Sequence, residues 1–166
     1  MGFERLHSFL HLLVSEWELT AAIFAMLIVL LIVVCVKLKR RRLKKAYKRI
    51  DRMDGHEFEW FCAEMLRRAG FGKVEVTKGS GDQGVDILAQ KGGDTYAIQC
   101  KRQASNVGNR AVQEVFAGKA FYEADVGAVL TNQHFTQSAK EAAGRMEILL
   151  WDRNWLEKAI RGGGGL

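Results

Sequence analysis

The 166-residue sequence contains no proline. It therefore has no proline-rich linker and no polyproline recognition segment. Cysteine is scarce, at three residues. Cys35, Cys62 and Cys100 make no C-x-x-C pair, and no histidine stands at metal-ligand spacing from them. An odd count without a framework excludes a secreted disulfide scaffold. The three read as small buried hydrophobes in a reducing compartment. Internal repeats are absent as well. So is an even spread of basic charge. The net charge of +6 and the pI near 9.4 would suggest a nucleic-acid binder. Taken by segment, residues 1–36 carry one Arg against three Glu, and residues 37–52 carry ten Lys/Arg against one Asp. Residues 53–166 carry fourteen Lys/Arg against fifteen Asp/Glu. The basic excess is thus one short segment, and the global pI says little about what the C-terminal part binds.

What the sequence does have is one long apolar block. Leu19–Val36 reads LTAAIFAMLIVLLIVVCV, 18 residues without a charge. As a helix it is about 27 Å long, close to the apolar thickness of a bilayer. A signal peptide carries its positive charge before the block and a small-residue cleavage site after it. Here SEWE precedes and KLKRRRLKKAYKR follows, so the block reads as a single-pass anchor. The flanking charge places the C-terminal part on the cytoplasmic face of an inner (plasma) membrane, with the N-terminus outside. The basic run can also lie on anionic headgroups, with DNA phosphates a secondary role. Residues 1–18 look amphipathic and suit the outer interface. This divides the chain into an amphipathic segment 1–18, a membrane helix 19–36, a basic linker 37–53, a folded domain 54–161 and a glycine tail 162–166, expected to be disordered.

Within the domain, Phe58, Phe61, Cys62, Met65, Leu66 and Ala69 recur at helical steps, and Gly70 ends that helix. FGKVEVT reads as a strand and KGSGDQG as a glycine-rich loop. VDILAQ, KGGD and TYAIQCKR read as a hairpin. Val107–Ala124 is expected as a helix with Val112, Val115, Phe116, Lys119 and Ala120 along one side. VGAVLTN is a buried strand, Phe135–Arg145 a helix, EILLWD a strand and Asn154–Ile160 a last helix. The order α-β-β-β-α-β-α-β-α suits a sheet with helices on both faces.

The hairpin carries the chemistry. Successive strand residues alternate faces. Ile98 and Cys100 go one way, Gln99 and Lys101 the other; Val85, Ile87 and Ala89 go one way, Asp86 the other. If the apolar sets share the core, Asp86, Gln99 and Lys101 meet on the opposite face. A cross-strand ion pair with an exposed glutamine beside it is the plainer alternative.

The blocks DGHEFEWFCAEMLRRAGF, GSGDQGVDILAQ, YAIQCKRQ, NRAVQEVFAGKAFYEADVGAVLTN and FTQSAKEAA span most of Asp54–Ile160. In that order and spacing they resemble the Mrr-like branch of the PD-(D/E)XK nucleases. The resemblance implies a restriction endonuclease-like α/β core, a mixed central sheet flanked by helices, here preceded by one transmembrane helix. It implies Asp86 as the metal-binding aspartate and Lys101 as the catalytic lysine. Gln99 stands in the place of the superfamily's middle acid, as is characteristic of this branch. A glutamate of the first domain helix joins them: Glu59 by the FE dipeptide, Glu57 as the fallback.

The chemistry agrees with that implication. Cutting a phosphodiester needs a cation to offset charge and activate water. Mg²⁺, with Mn²⁺ as the alternative, takes oxygen ligands and keeps several waters. Asp86, Gln99, Glu59 and the Cys100 main-chain carbonyl can supply such oxygens, and Lys101 a fixed cation. Gln113 reads as reaching toward the site or as a plain exposed glutamine. Ser80 and Asp82 read as DNA-backbone or metal contacts, with a turn role the simpler account. The expected function is a membrane-anchored, Mg²⁺-dependent DNA endonuclease that restricts foreign or modified DNA. The alternatives are a tethered DNA-binding module that has lost cleavage, and a repair or recombination nuclease. Specificity would come from the loops, a homodimer or a separate partner.

Overall fold

A computed structural model describes residues 2–77 and 83–161, with the side chains of residues 2–16, 42, 43 and 46 left aside. The chain divides into two compact units, Met1–Ala46 and Tyr47–Leu166. Helix α1 spans Gly2–Ile50. Its stretch Trp17–Arg41 is long and apolar enough to cross a membrane, and its most apolar window is wholly unburied. Cys35 lies in that stretch and is exposed, so it is no buried hydrophobe as expected; Cys62 and Cys100 are.

The second unit holds α2 (Gly55–Arg68), β1 (Gly72–Val76), β2 (Ile87–Lys91), β3 (Asp94–Lys101), α3 (Asn109–Phe121), β4 (Val126–Thr131), α4 (Gln137–Met146), β5 (Ile148–Trp151) and α5 (Arg153–Ile160). The five strands form one mixed sheet in the order β1-β2-β3-β4-β5. β1–β2 and β2–β3 pair antiparallel; β3–β4 and β4–β5 pair parallel. The parallel pairs need crossovers, which α3 and α4 provide. This is the expected mixed α/β architecture, with the elements in the expected order.

Local chemistry explains the boundaries. Asp54 accepts from the Glu57 amide at 2.8 Å while Glu57 accepts from the Asp54 amide at 3.1 Å, a capping box that starts α2. Gly92 and Gly93, both at positive φ, turn β2 into β3. Thr136 and Asp152 cap α4 and α5.

β3 is covered on both faces: Ala97, Ile98, Gln99 and Cys100 are all buried. On one side α2 brings Cys62 to Cys100. On the other, Val112, Val115 and Ala111 of α3 pack with Val129, Phe135, Ala139 and Ile148.

Two expectations need correction. Val85 does not share a face with Ile87. β2 becomes regular only at Ile87, paired with Ile98, and Val85 clusters with Ala97, Ala124, Leu88 and Tyr122 on the α3 side. The buried face of α3 is Ala111, Val112, Val115 and Gly118, while Phe116 and Ala120 are exposed. Gly118 is the reason. A β-carbon there would overlap Val85 Cγ2 and come within 2.7 Å of Gln83 O. The helix therefore presents its small residues to the loop before Asp86 and turns its large apolar ones outward.

Candidate active site

The site forms where the β2–β3 ladder opens. Asp86 lies one residue before β2, its amide still donating to Ile98 O at 2.9 Å. Its carboxylate Oδ2 accepts from the Cys100 amide at 2.6 Å. In an extended strand the N–H and C=O of one residue point to the same side. The Cys100 carbonyl therefore turns toward the side that Asp86 occupies.

Gln99 and Lys101 face α3, where they meet Glu114. Lys101 Nζ lies 2.8 Å from Glu114 Oε2, and Gln99 Nε2 donates to the same oxygen at 3.0 Å. Arg110 Nε donates to Glu114 Oε1 at 2.8 Å. Burial would raise the Glu114 carboxyl, but the hydrogen bonds from Lys101, Arg110 and Gln99 outweigh it and hold it down at about 2. A carboxylate only accepts, so the Gln99 amide must turn its NH₂ toward Glu114. Its oxygen then points away. Gln99 is 3% exposed, and its Oε1 is buried without a hydrogen-bond partner. An orphaned buried acceptor costs about 1–3 kcal/mol and calls for an explanation such as an ion.

Glu57 and Glu59 separate cleanly. Glu57 is committed to the capping box and is exposed. The Glu59 side chain is only 22% exposed and meets His56 Nδ1 at 3.1 Å. Burial pushes the Cys100 thiol well up, the Cys62 thiol adds to the shift, and so do the charges of Asp86 and Glu59. Two carboxylates from different elements thus act on one residue of β3.

Gln113 is exposed; its neighbour Glu114 occupies the place expected of it. Ser80 and Asp82 lie outside the described residues. The sequence held a signal for Glu114: it falls in the stripe Ala111, Glu114, Val115, Gly118, an acid among small and apolar residues at helical spacing. Glu57 was legible too, as the fourth residue of a D-x-x-E box.

A cleft of about 210 Å³ opens beside Lys101, lined by Gln103, Val107, Gly108, Arg110, Ala111 and Glu114 as well. Among the described residues no three His, Cys, Asp or Glu side chains gather as ligands. The oxygens on offer are the Asp86 carboxylate at the Cys100 amide, the Cys100 carbonyl and the unsatisfied Gln99 Oε1, with Glu59 close enough for its charge to act on Cys100. That set fits a hard cation that keeps part of its water shell.

Lys101 and Glu114 line the cleft, while Gln99 meets Glu114 behind it and Asp86 bonds the Cys100 amide between Gln99 and Lys101 in sequence; comparison with known proteins supplies the family. The model of the restriction endonuclease family Mrr_cat matches residues 50–160, so the chain belongs to that family. Three solved structures share the fold. A protein of unknown function, AF1548, is 23% identical with a TM-score of 0.51, over 60% of this chain and 59% of its own. The MspJI restriction endonuclease, solved with a 27-mer oligonucleotide, is 21% identical with a TM-score of 0.52, over 75% and 33%. The DNA modification-dependent restriction endonuclease AspBHI is 13% identical with a TM-score of 0.55, over 75% and 35%. The chain thus spans about three fifths of the first and about a third of the other two. No curated protein matches the chain.

Proposed function

We propose that this protein is a membrane-anchored, divalent-cation-dependent DNA endonuclease that restricts foreign or modified DNA. The observation that carries the reading is the orphaned Gln99 Oε1, buried on the strand that also holds Lys101 and receives Asp86. Asp86, Gln99 Oε1 and the Cys100 carbonyl would hold Mg²⁺, with Glu59 supplying the second carboxylate. When bound, the cation supplies charge neutralisation at the phosphate and a more acidic water. Lys101 contributes a fixed positive charge for the attacking water or the transition state, already paired and oriented at the mouth of the cleft. Arg110, mostly exposed at the same cleft, suits a DNA phosphate. MspJI, a restriction endonuclease bound to an oligonucleotide, and AspBHI, a DNA modification-dependent restriction endonuclease, support that substrate class here.

The apolar stretch Trp17–Arg41 supports the anchor, and the basic residues at its C-terminal end support a cytoplasmic nuclease domain. The test uses the full-length chain in detergent with methylated, unmethylated and branched DNA. Mg²⁺-dependent cutting of duplex, abolished by chelation, is expected. DNA binding without cutting would instead make the protein a tethered binding module, and a preference for branched DNA would make it a repair nuclease.

A further inference from the structure

We propose that Glu114 is a positioning residue for this reaction: it holds the Gln99 amide with its oxygen toward the cation site, fixes Lys101 beside it, and by its charge requires a neutral side chain at position 99. The inference deepens the nuclease reading and rests on it.

Both oxygens of Glu114 are occupied, Oε2 by Lys101 and Gln99 and Oε1 by Arg110. It is thus placed to orient ligands rather than to be one. The orientation it imposes is specific. Without a carboxylate on the α3 side, the Gln99 amide loses the partner that fixes its NH₂, and a flipped amide presents hydrogens where its oxygen now lies. The placement is rigid. Gly84, at φ +78°, lies so close that a β-carbon there would come within 3.1 Å of Glu114 Cβ. Gly118, one turn on, admits Val85 and Gln83 against the same helix. One helix face therefore seats the loop that leads into Asp86 and also sets the two functional side chains of β3.

The charge argument is separate. A glutamate at position 99 would place a second carboxylate about 3 Å from Glu114 Oε2 and remove the NH₂ that now donates to it, so two acceptors would face each other. The negative charge that a carboxylate at position 99 would bring is instead carried by Glu114, across from the lysine.

The test compares four full-length proteins in detergent: wild type, Glu114→Gln, Gln99→Glu and the double variant. The readouts are Mg²⁺-dependent kcat and KM for DNA, Mn²⁺ affinity by calorimetry, and melting temperature. Glu114→Gln is expected to lower kcat by roughly 10- to 100-fold, the scale of a misplaced catalytic group, with KM altered by less than about threefold. Gln99→Glu should lose a similar factor. The double variant, with acid and amide exchanged, should cut at least ~10-fold faster than the product of the two losses allows. Mn²⁺ affinity should follow the same order. Wild-type kcat and Mn²⁺ affinity in Glu114→Gln, or losses that simply multiply, would overturn the proposal. If Glu114→Gln does not fold, Glu114→Asp replaces it: the charge stays but the reach shortens, and kcat should fall about tenfold at unaltered melting temperature, while an unchanged kcat overturns the proposal. A wild type that neither cuts nor binds Mn²⁺ removes the nuclease reading and this inference together. A wild type that cuts beside a silent Glu114→Gln removes this inference alone.

Discussion

Two carboxylates lie near the C-terminal end of β3, each surrounded by cations and amides, and they are built for different ends. Asp51 accepts from Arg153 at 2.7 and 3.2 Å and from Asn132 Nδ2 at 2.9 Å. Arg102 donates to the Asp51 carbonyl at 2.8 Å, and Asn132 is also bonded to both backbone groups of Gln103. Burial would raise Asp51, but its bonds to Arg153 and Asn132 hold it below the usual carboxylate range. The result is a clasp that ties the start of the domain to the loop ends beyond β3 and β4. Glu114 is held down too, yet its cluster opens onto a cleft and leaves the Gln99 oxygen unsatisfied. Both clusters leave a buried atom without a partner, Arg102 Nε in the clasp and Gln99 Oε1 beside Glu114. The difference is chemical: an open N–H on a cation offers nothing to a metal ion, whereas an open amide oxygen can accept one.

Substitution should separate the two regions. Lys101→Ala is expected to lower cleavage on the order of 10²-fold or more while the melting temperature moves by only a few degrees. A variant that cuts normally would put Lys101 on the structural side of the comparison. Gly118→Ala comes next. Its β-carbon meets Val85 and Gln83, and overpacking of that kind costs about 1–3 kcal/mol. Thermal unfolding should show the loss, and cleavage should drop with it because the loop into Asp86 is displaced. A drop in stability without a drop in cleavage would uncouple the loop from the site.

Asp51→Ala should do the reverse of Lys101→Ala. It removes three hydrogen bonds to a partly exposed acid, worth about 1–2 kcal/mol together after solvent screening. The melting temperature should fall by several degrees, with cleavage per folded molecule within about threefold of wild type. The smallest effect is on pH dependence. Glu114 has a folded value of about 2 against an ordinary 4.5. Its contribution is therefore complete above the ordinary value and is lost as pH falls through about 2. The stability difference between wild type and Glu114→Gln should stay flat from neutral pH down to the ordinary carboxylate range and shrink below it, by chemical denaturation at stepped pH. A difference that shrank already between pH 8 and 6 would mean the carboxylate is not held by Lys101 and Arg110.

Much of this was legible in the residues. The element order, the apolar helix and the hairpin follow from periodicity and turn glycines; the grouping of Asp86, Gln99 and Lys101 rests on the family resemblance of the glycine-rich and QCK blocks. The misreading of α3 has one physical cause, packing against glycine. Periodicity favoured Phe116 as a core residue of α3 because it is large and apolar. Gly118 instead lets the Gln83–Val85 loop approach, which rotates the buried face onto small residues. That rotation carries Glu114 inward and leaves Gln113 in solvent. Val85 departs from the alternation for another reason: it lies ahead of β2, which begins at Ile87.

The central claim is that Asp86, Gln99 Oε1 and the Cys100 carbonyl form one cation pocket. Calorimetric titration of Mn²⁺ into the full-length protein, beside Asp86→Ala and Gln99→Leu at matched melting temperature, measures it directly. Binding by the wild type that is lost in Asp86→Ala and weakened in Gln99→Leu is the expected result. Equal binding by all three proteins, or by none, would contradict it.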